Sequence, residues 1–263
     1  MSRTSGTVMH AGFPDFWEKA YSLNPEAYRA LGDLYPIQNA LFKKPVKKPV
    51  LRVMRFMTKV VGNSAGSVML LTLNGFGNDA MRIARSMFEG AVTVGYLRLH
   101  PEEYKDFRDF LWVKQKRRYD YLVKHDPVQL STVQPKHIKR MMRRYPAVVG
   151  RFTGKNGRIR HSWCRKPISQ MADEVGLGKS YSTFYSTASS MHHFDVTGLS
   201  AQLESERIPD ADSAPSENWL EESLNMAHKA LLVCLVHYNN AARLGMSKGL
   251  KAARKDFMRT WKK

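Results

Sequence analysis

Cysteine is scarce in this sequence, and long apolar runs are missing. The chain of 263 residues has two cysteines, Cys164 and Cys234, which lie far apart and form no CxxC or Cys/His spacing. A disulfide framework or a structural zinc site is therefore not expected, and a reducing, cytoplasmic compartment is the natural interpretation. The longest apolar run, Ala230 to Tyr238, is far too short to cross a bilayer. Residues 1–15 lack the apolar region of a signal peptide, so no membrane association is expected.

Acidic residues are also few. The chain has 23 Asp and Glu against 42 Lys and Arg, which gives a formal net charge of +19. A field of this sign and size attracts polyanions, and nucleic acid is the commonest polyanion inside cells. The alternative is a chain that is basic only for solubility. A hydrophobic fraction of 43%, despite a mean hydropathy of −0.43, is that of a protein with a folded core.

Strand signals are missing as well, because no segment alternates apolar and polar residues. The apolar residues recur at helical spacing, without an internal repeat and without a linker that divides the core. We therefore predict an all-α fold, a single-domain helical bundle with a basic N-terminal arm and a C-terminal helix. The predicted division is an arm with short helices at 1–62, a helical core domain at 63–246 and a basic C-terminal helix at 247–263.

The arm carries the first concentration of cations. Phe42 to Val60 holds seven Lys and Arg and no acid. Its prolines predict an extended first half, with a basic helix from Val50 onward. Candidate phosphate contacts are Lys43, Lys44, Lys47 and Lys48. The alternatives are a solvated arm and, less favoured because a clean apolar face is lacking, a membrane-surface segment.

A second concentration lies in Lys136 to Lys166, with eleven Lys and Arg and no acid. Within it, the glycine-rich segment Arg151 to Trp163 predicts a loop. Cations interleaved with Phe152 and Trp163 suit phosphates and unstacked bases. The nucleic-acid candidates in this loop are Arg151, Lys155, Arg158 and Arg160. The alternative is a solvated loop whose Trp163 plugs the core.

Asn78 to Leu99 predicts a long, largely buried helix, because apolar residues cover more than half of its circumference. Arg82, Arg85 and Glu89 lie on the remaining polar stripe, which must face partner groups or a cavity. Arg85 and Glu89 are one turn apart and can pair within the helix, although the Arg-first order is the less favourable orientation. The two residues form either a purely structural ion pair or part of a functional site, and the sequence does not decide between these interpretations.

Lys179 to Asp195 predicts a second helix of interest. An apolar stripe of Tyr181, Phe184, Tyr185, Ala188 and His192 is expected to pack against the Asn78–Leu99 helix, with His192 in the core. Beside it runs a ladder of four-residue steps formed by Tyr181, Tyr185, Ser189 and His193. The ladder is either the polar edge of an amphipathic helix or one wall of a site.

Three segments together resemble the bacterial domain-of-unknown-function family 5677. They are IARSMFEGAVTVGYL, SWCRKPISQMADEVG and YSTFYSTASSMHHFD, within residues 63–203. The positions that match the family pattern are Arg85, Ser86, Phe88, Glu89, Trp163, Tyr181, Tyr185, Ser189 and His193. The resemblance implies an all-helical fold without an established activity. The family is similar in style to HEPN (higher eukaryote and prokaryote nucleotide-binding) proteins, many of which are metal-independent ribonucleases in toxin and phage-defence systems.

HEPN nucleases carry Arg-x4-6-His on one helix. The nearest match here, Arg118 with His125, is attributed to chance because that helix has an ordinary surface pattern.

The leading hypothesis is a cytosolic helical protein that binds or acts on RNA, in a toxin or phage-defence role. If it is an enzyme, the expected chemistry is metal-independent cleavage of RNA through the ribose 2′-hydroxyl. His193, taken from the family spacing, would be the general acid or base, and Arg85 would stabilise charge on the phosphorane. Glu89 would orient Arg85, while Tyr185 and Ser189 would position the phosphate. The substrate-binding set is completed by Arg82, Tyr181, His192 and Trp163.

Two alternatives remain: a non-catalytic nucleic-acid-binding or regulatory module, and a small-ligand sensor that uses the same polar pocket. No cofactor and no metal are expected. Nucleic acid, with RNA favoured, is the expected partner, and a homodimer is compatible with the sequence.

Overall fold

The computed structural model describes residues 12–193 and 215–261. Over these ranges the chain is helical and contains no β-strand; an antiparallel bridge between Thr153 and Ile159 is isolated. The predicted all-α class is confirmed. The sequence also predicts a disordered lead at residues 1–12 and an exposed acidic loop from Glu204 to Glu222. Nearly all of the lead and most of the loop lie outside the described residues.

The helices are numbered in chain order. Before His100 lie α1 (Pro14–Leu23), α2 (Pro25–Gly32), α3 (Leu34–Phe42), α4 (Pro49–Leu73) and α5 (Gly77–Leu99). After a 3-10 turn at Pro101–Glu103 come α6 (Tyr104–His125), α7 (Pro127–Ser131), α8 (Pro135–Arg144) and α9 (Pro146–Val149), followed by a 3-10 turn at Gly150–Phe152. The remainder contains α10 (Ile168–Glu174), α11 (Gly178–Ser180), a π-helical turn (Tyr181–Tyr185), α12 (Ser186–His193), α13 (Leu220–Ala242) and α14 (Ser247–Thr260).

The chain forms two compact units. The larger unit consists of Met1–Leu99 and Ile168–Lys263, and the smaller unit, here called the basic unit, is His100–Pro167. In the larger unit α4, α5 and α13 pack on one another, with α10 and α12 against α5. Ala84, Phe88 and Leu231 are fully buried there.

The N-terminal helices belong to this core. Leu31, Leu34 and Leu41 are fully buried, and α2 packs on α13. The predicted boundary between residues 62 and 63 falls inside α4, whose Val61 and Gly62 are both buried. The chain predicted as an arm therefore contributes apolar surface to the larger unit.

Proline and glycine set the helix limits. Pro14, Pro25 and Pro49 each occupy the first turn of a helix, where the missing N–H costs nothing. Gly75 ends α4 with a φ of +75°, a backbone conformation that other residues rarely adopt. At Gly77 a Cβ would lie 1.9 Å from the carbonyl oxygen of Asn218, so only glycine allows the two chain segments to approach this closely.

The basic unit has its own small core. Phe110, Val113, Val148 and Phe152 are buried together. Around this cluster pack the partly buried Trp112, Tyr145, Ile159 and Trp163. The ring of Trp163 meets Phe107 edge-on at 5.2 Å. Trp163 thus plugs the core of this unit, as one of the two interpretations of the loop expected.

One prediction for the helix at residues 179–195 is wrong. His192 is exposed, and the core position is taken by Met191, which is fully buried. At α-helical pitch Met191 lies about 20° from the buried Phe184 and His192 lies about 20° from the buried Tyr185, so ideal pitch alone does not decide which of the two enters the core. The π-helical turn at Tyr181–Tyr185 further departs from the α-helical pitch on which the predicted stripe rests.

Candidate functional site

Three polar side chains close a hydrogen-bonded ring between α5 and the π-helical turn. The guanidinium of Arg85 donates through Nη2 to the hydroxyl of Tyr185 at 3.0 Å. The same nitrogen lies 3.0 Å from Glu89 Oε1, one turn along α5. The Tyr185 hydroxyl in turn donates to Glu89 Oε1 at 2.7 Å. The Arg85–Glu89 pair expected from the spacing is present, and Tyr185 faces it.

Aromatic rings cover this polar cluster. The Tyr185 ring lies 5.1 Å from that of Phe88 and stacks on Tyr181, with centroids 5.1 Å apart. The Arg85 guanidinium also lies 4.9 Å from the centre of the Tyr185 ring. Burial, and then the hydrogen bond to Glu89, raise the pKa of Tyr185 above its usual value. The phenol is therefore neutral near pH 7 and serves as both donor and acceptor.

The charges of the cluster are internally balanced. The Arg85 side chain is 13% exposed, and its cation is neutralised by Glu89. Arg82, another predicted substrate contact, pairs with Asp79 at 2.5 Å. Among the described residues, the buried Arg85 Nε has no hydrogen-bond partner. Binding of a phosphate by Arg85 would require Glu89 or Tyr185 to release the guanidinium first.

The histidines lie farther along the helix. His193, the proposed general acid or base, is exposed and meets the ring of His192 edge-on at 5.0 Å. It lies eight residues after Tyr185, about 12 Å along an α-helix. No hydrogen bond or ion pair within the described ranges joins His193 to Arg85 or Glu89. Ser189 is half-buried on the same helix.

The predicted nucleic-acid contacts divide into engaged and exposed cations. Arg151 forms ion pairs with Asp106 and Asp109, and Arg160 pairs with Asp106 at 3.1 Å. Lys44 donates to the carbonyl oxygen of Leu244. The remaining predicted cations, namely Lys43, Lys47, Lys48, Lys155 and Arg158, are exposed.

Positive charge is concentrated in the basic unit. His100–Pro167 contains 18 Lys and Arg against six Asp and Glu, which is +12 of the net +19 of the chain. The ten residues of α8 include no acid. All five of its cations are exposed: Lys136, Lys139, Arg140, Arg143 and Arg144. We call this surface the α8 face. Its cations belong to the basic stretch from Lys136 to Lys166, but the sequence alone did not mark them as candidate nucleic-acid contacts.

A pocket of about 280 Å³ lies between α6, α7 and α8 of the basic unit. Most of its lining is apolar, with Leu122, Leu130, Val133, Ile138 and Met141 as the aliphatic members. Gln115, Arg118, Tyr119 and His137 complete it. Arg118 therefore contributes to a concave surface, although its spacing from His125 along α6 was attributed to chance.

The sequence family follows from a comparison with known proteins. The family of unknown function DUF5677 matches residues 52–210, which is more than half of the chain. The chain belongs to this family. The DUF5677 match contains Arg85, Glu89, Tyr185 and the whole basic unit, while α1 to α3, α13 and α14 lie outside it. No curated protein and no solved structure matches the chain.

Two further properties bear on the chemistry of this DUF5677 protein. Residues 12–193 and 215–261 contain no group of three or more His, Cys, Asp or Glu that could hold a metal ion. In the same ranges, no helix has the length and apolar character needed to span a membrane.

Sequence reasoning missed one polar contact in the larger unit. Lys229 of α13 donates to Ser180 Oγ at 2.5 Å, beside a pocket of about 320 Å³ that Thr183 and Glu222 also line. Burial lowers the pKa of Lys229. The contact could have been suspected from the sequence, because Lys229 lies among the apolar residues of α13.

Tyr185→Phe is expected to lower the free energy of unfolding by about 1–2 kcal/mol, because the hydroxyl that bridges two charged groups is removed while the ring is kept. Urea denaturation followed by circular dichroism measures the change. Tyr181→Phe, which keeps the stacked ring of a half-buried tyrosine, is the control. Equal effects of the two variants would contradict the bridging role of the Tyr185 hydroxyl.

Proposed function

We propose that this protein binds RNA through its basic unit and acts as a non-catalytic nucleic-acid-binding module. The observation that carries the proposal is the concentration of +12 of the net charge of +19 within His100–Pro167. Neutralisation of phosphates by Lys and Arg supplies most of the affinity of sequence-independent nucleic-acid binding, and it requires exposed cations.

The acids of the basic unit do not cancel this charge at the α8 face. Asp106 and Asp109 are engaged by Arg151, and Asp120 pairs with Lys116 at 2.6 Å. Asp126 caps the start of α7 by accepting from the backbone N–H of Gln129 at 2.9 Å. The α8 face therefore presents an excess of cations that are available for phosphates.

RNA is favoured over duplex DNA because the cations lie on short elements. The α8 face spans ten residues, and the exposed Lys155 and Arg158 lie in the irregular segment that follows the 3-10 turn at Gly150–Phe152. Such surfaces suit the irregular backbone of single strands and loops better than a long, straight groove. This role is consistent with a cytoplasmic protein; the homodimer stays a prediction.

A metal-independent ribonuclease of toxin or phage-defence type is the competing proposal. It is less favoured because Arg85 is held by Glu89 and Tyr185, and the exposed His193 is not bonded to either of them. A cation that is already neutralised stabilises a phosphorane less than a free one. The polar cluster is better explained as a structural lock between α5 and the helix that carries Tyr185.

Replacing Lys136, Lys139, Arg143 and Arg144 of the α8 face by Gln is expected to weaken RNA binding about 10- to 100-fold at moderate salt. Fluorescence anisotropy with a labelled oligonucleotide measures the affinity, and a salt titration measures the slope. For a single strand, the slope of log K against log salt should fall by about 0.7 for each phosphate that the variant no longer neutralises.

The matched control removes the same number of charges from α14 of the larger unit. Lys248, Lys251, Arg254 and Lys255 are all exposed there. Their replacement by Gln should change the affinity much less. Equal losses of affinity in both variants would show that net charge alone drives binding. Absence of RNA binding by the unmodified protein would contradict the proposed function.

The ribonuclease proposal is tested with the same protein incubated with total RNA in EDTA. Arg85→Ala and His193→Ala are compared with the unmodified chain. Cleavage that disappears in both variants would replace the non-catalytic proposal by the nuclease one. Salt-sensitive binding without cleavage would support the binding module.

A further inference from the structure

The pocket between α6, α7 and α8 has the dimensions of a site for one small, flat group. Its volume of about 280 Å³ lies just below the range of about 300–1,000 Å³ that is usual for small-molecule sites. Of the residues that line it, Leu122 and Met141 are buried and Leu130 and Ile138 are half-buried. An aliphatic lining of this kind favours an apolar ring system.

The polar members of the lining suit a nucleobase. The half-buried ring of Tyr119 and the planar guanidinium of Arg118 are surfaces on which bases stack. Gln115 offers an amide that both donates and accepts hydrogen bonds, as the edges of bases do. None of the residues that line the pocket is acidic.

The surroundings of the pocket select a ligand that is also polyanionic. His137, Ile138 and Met141 of α8 face the pocket. The exposed Arg140 and Arg144 each follow one of them, His137 or Met141, by three residues, which places both cations at the edge of the pocket face. A strand whose base enters the pocket would therefore place its phosphates beside these cations. A duplex cannot do this without breaking a base pair, because its bases are stacked inside.

We propose that this pocket holds one unstacked base of a single-stranded RNA, while the cations of α8 hold the adjoining phosphates. The inference rests on the proposed RNA-binding function and adds the form of RNA that is bound.

The test compares a single-stranded RNA of about 12 nucleotides with a duplex of the same length by fluorescence anisotropy. The unmodified protein should bind the single strand more tightly. Tyr119→Ala is expected to weaken single-strand binding about 5- to 100-fold, as the removal of one stacked base does, and to spare the duplex. An oligonucleotide of the same length with abasic sites should bind the unmodified protein as weakly as the natural strand binds Tyr119→Ala.

Two further variants sharpen the test. Tyr121→Ala removes a tyrosine of the same helix that is 62% exposed and does not line the pocket; single-strand affinity should be nearly unchanged. Val133→Phe fills the pocket and keeps Tyr119, so it should reproduce the weakened binding even if Tyr119→Ala folds poorly. Thermal unfolding is measured for each variant.

Equal affinity for single strand, duplex and abasic strand, with no effect of Tyr119→Ala or Val133→Phe, would overturn the pocket proposal and leave RNA binding intact. Equal weakening of single strand and duplex by these variants would also overturn it. Absence of any RNA binding would instead remove the proposed function on which it rests.

Discussion

Replacing Phe88 by alanine is expected to lower the free energy of unfolding by about 3–5 kcal/mol, the cost of truncating a buried aromatic side chain. Phe88 is 0% exposed and lies on α5, which packs against both α4 and α13. Its ring also supports that of Tyr185 at 5.1 Å. The cavity left behind would therefore destabilise the core and loosen the Arg85–Glu89–Tyr185 ring together. Urea denaturation monitored by circular dichroism measures the change in stability.

Phe56→Ala is the matched control for this prediction. Phe56 lies on α4 of the same unit, but its side chain is 66% exposed. Surface truncations of this kind usually change stability by about 0.5 kcal/mol or less. Comparable destabilisation in the two variants would contradict the placement of Phe88 at the centre of the larger unit.

Acid is expected to destabilise the protein through two neutral histidines of α13. Burial lowers the pKa of both His228 and His237 to about 4. His228 Nδ1 accepts from Trp261 Nε1 at 3.2 Å, and Asp256 opposes the shift without cancelling it. His237 Nδ1 accepts from Arg98 Nε at 2.7 Å, and the charge of Arg98 lowers the pKa of His237 further.

The direction of the effect follows from proton uptake. Between the unfolded pKa of about 6.5 and the folded value the unfolded chain binds more protons, so stability is full above about pH 6.5 and decreases as the pH falls. At about pH 4.5 each of these two histidines, taken alone, lowers the unfolding free energy by about 2–3 kcal/mol.

The measured quantity is the difference in unfolding free energy between about pH 7 and about pH 4.5. His228→Asn and His237→Asn keep an acceptor near the position of Nδ1 and should shrink this difference. Because each variant is compared with itself, a change in packing cancels. The same substitution at the exposed His161 controls for removal of an imidazole as such. An undiminished difference in the His228 variant would contradict the prediction.

Local features of the fold and site were predictable from the sequence because they depend on residues close in the chain. The Arg85–Glu89 pair follows from a spacing of one helical turn. The end of α4 follows from Asn74 and Gly75. The all-α fold class follows from apolar residues at helical spacing and from the lack of strand signals. The ladder of Tyr181, Tyr185, Ser189 and His193 was expected to be either the polar edge of an amphipathic helix or one wall of a site, and its Tyr185 bonds to Arg85 and Glu89.

The features that were not predicted depend on contacts distant in sequence or on departures from ideal pitch. Arg151 and Arg160 were expected to be available to phosphates, but Asp106, some 45 residues before Arg151, lies beside both. Periodicity shows which face of a helix is apolar, but not which other helix packs against that face. The sequence therefore could not show that the basic unit forms a compact unit of its own. His192 was misplaced because projection at constant pitch takes no account of a π-helical turn.

The packing of α13 has a consequence for how the protein can be divided. The DUF5677 match ends at residue 210, whereas α13 begins at Leu220 and covers the apolar side of both α4 and α5. A fragment cut to residues 52–210 would leave Ala84 and Phe88 on a helix whose largest neighbour is gone. The recognisable family region and the minimal stable fragment are therefore different lengths of chain, and expression trials should retain α13.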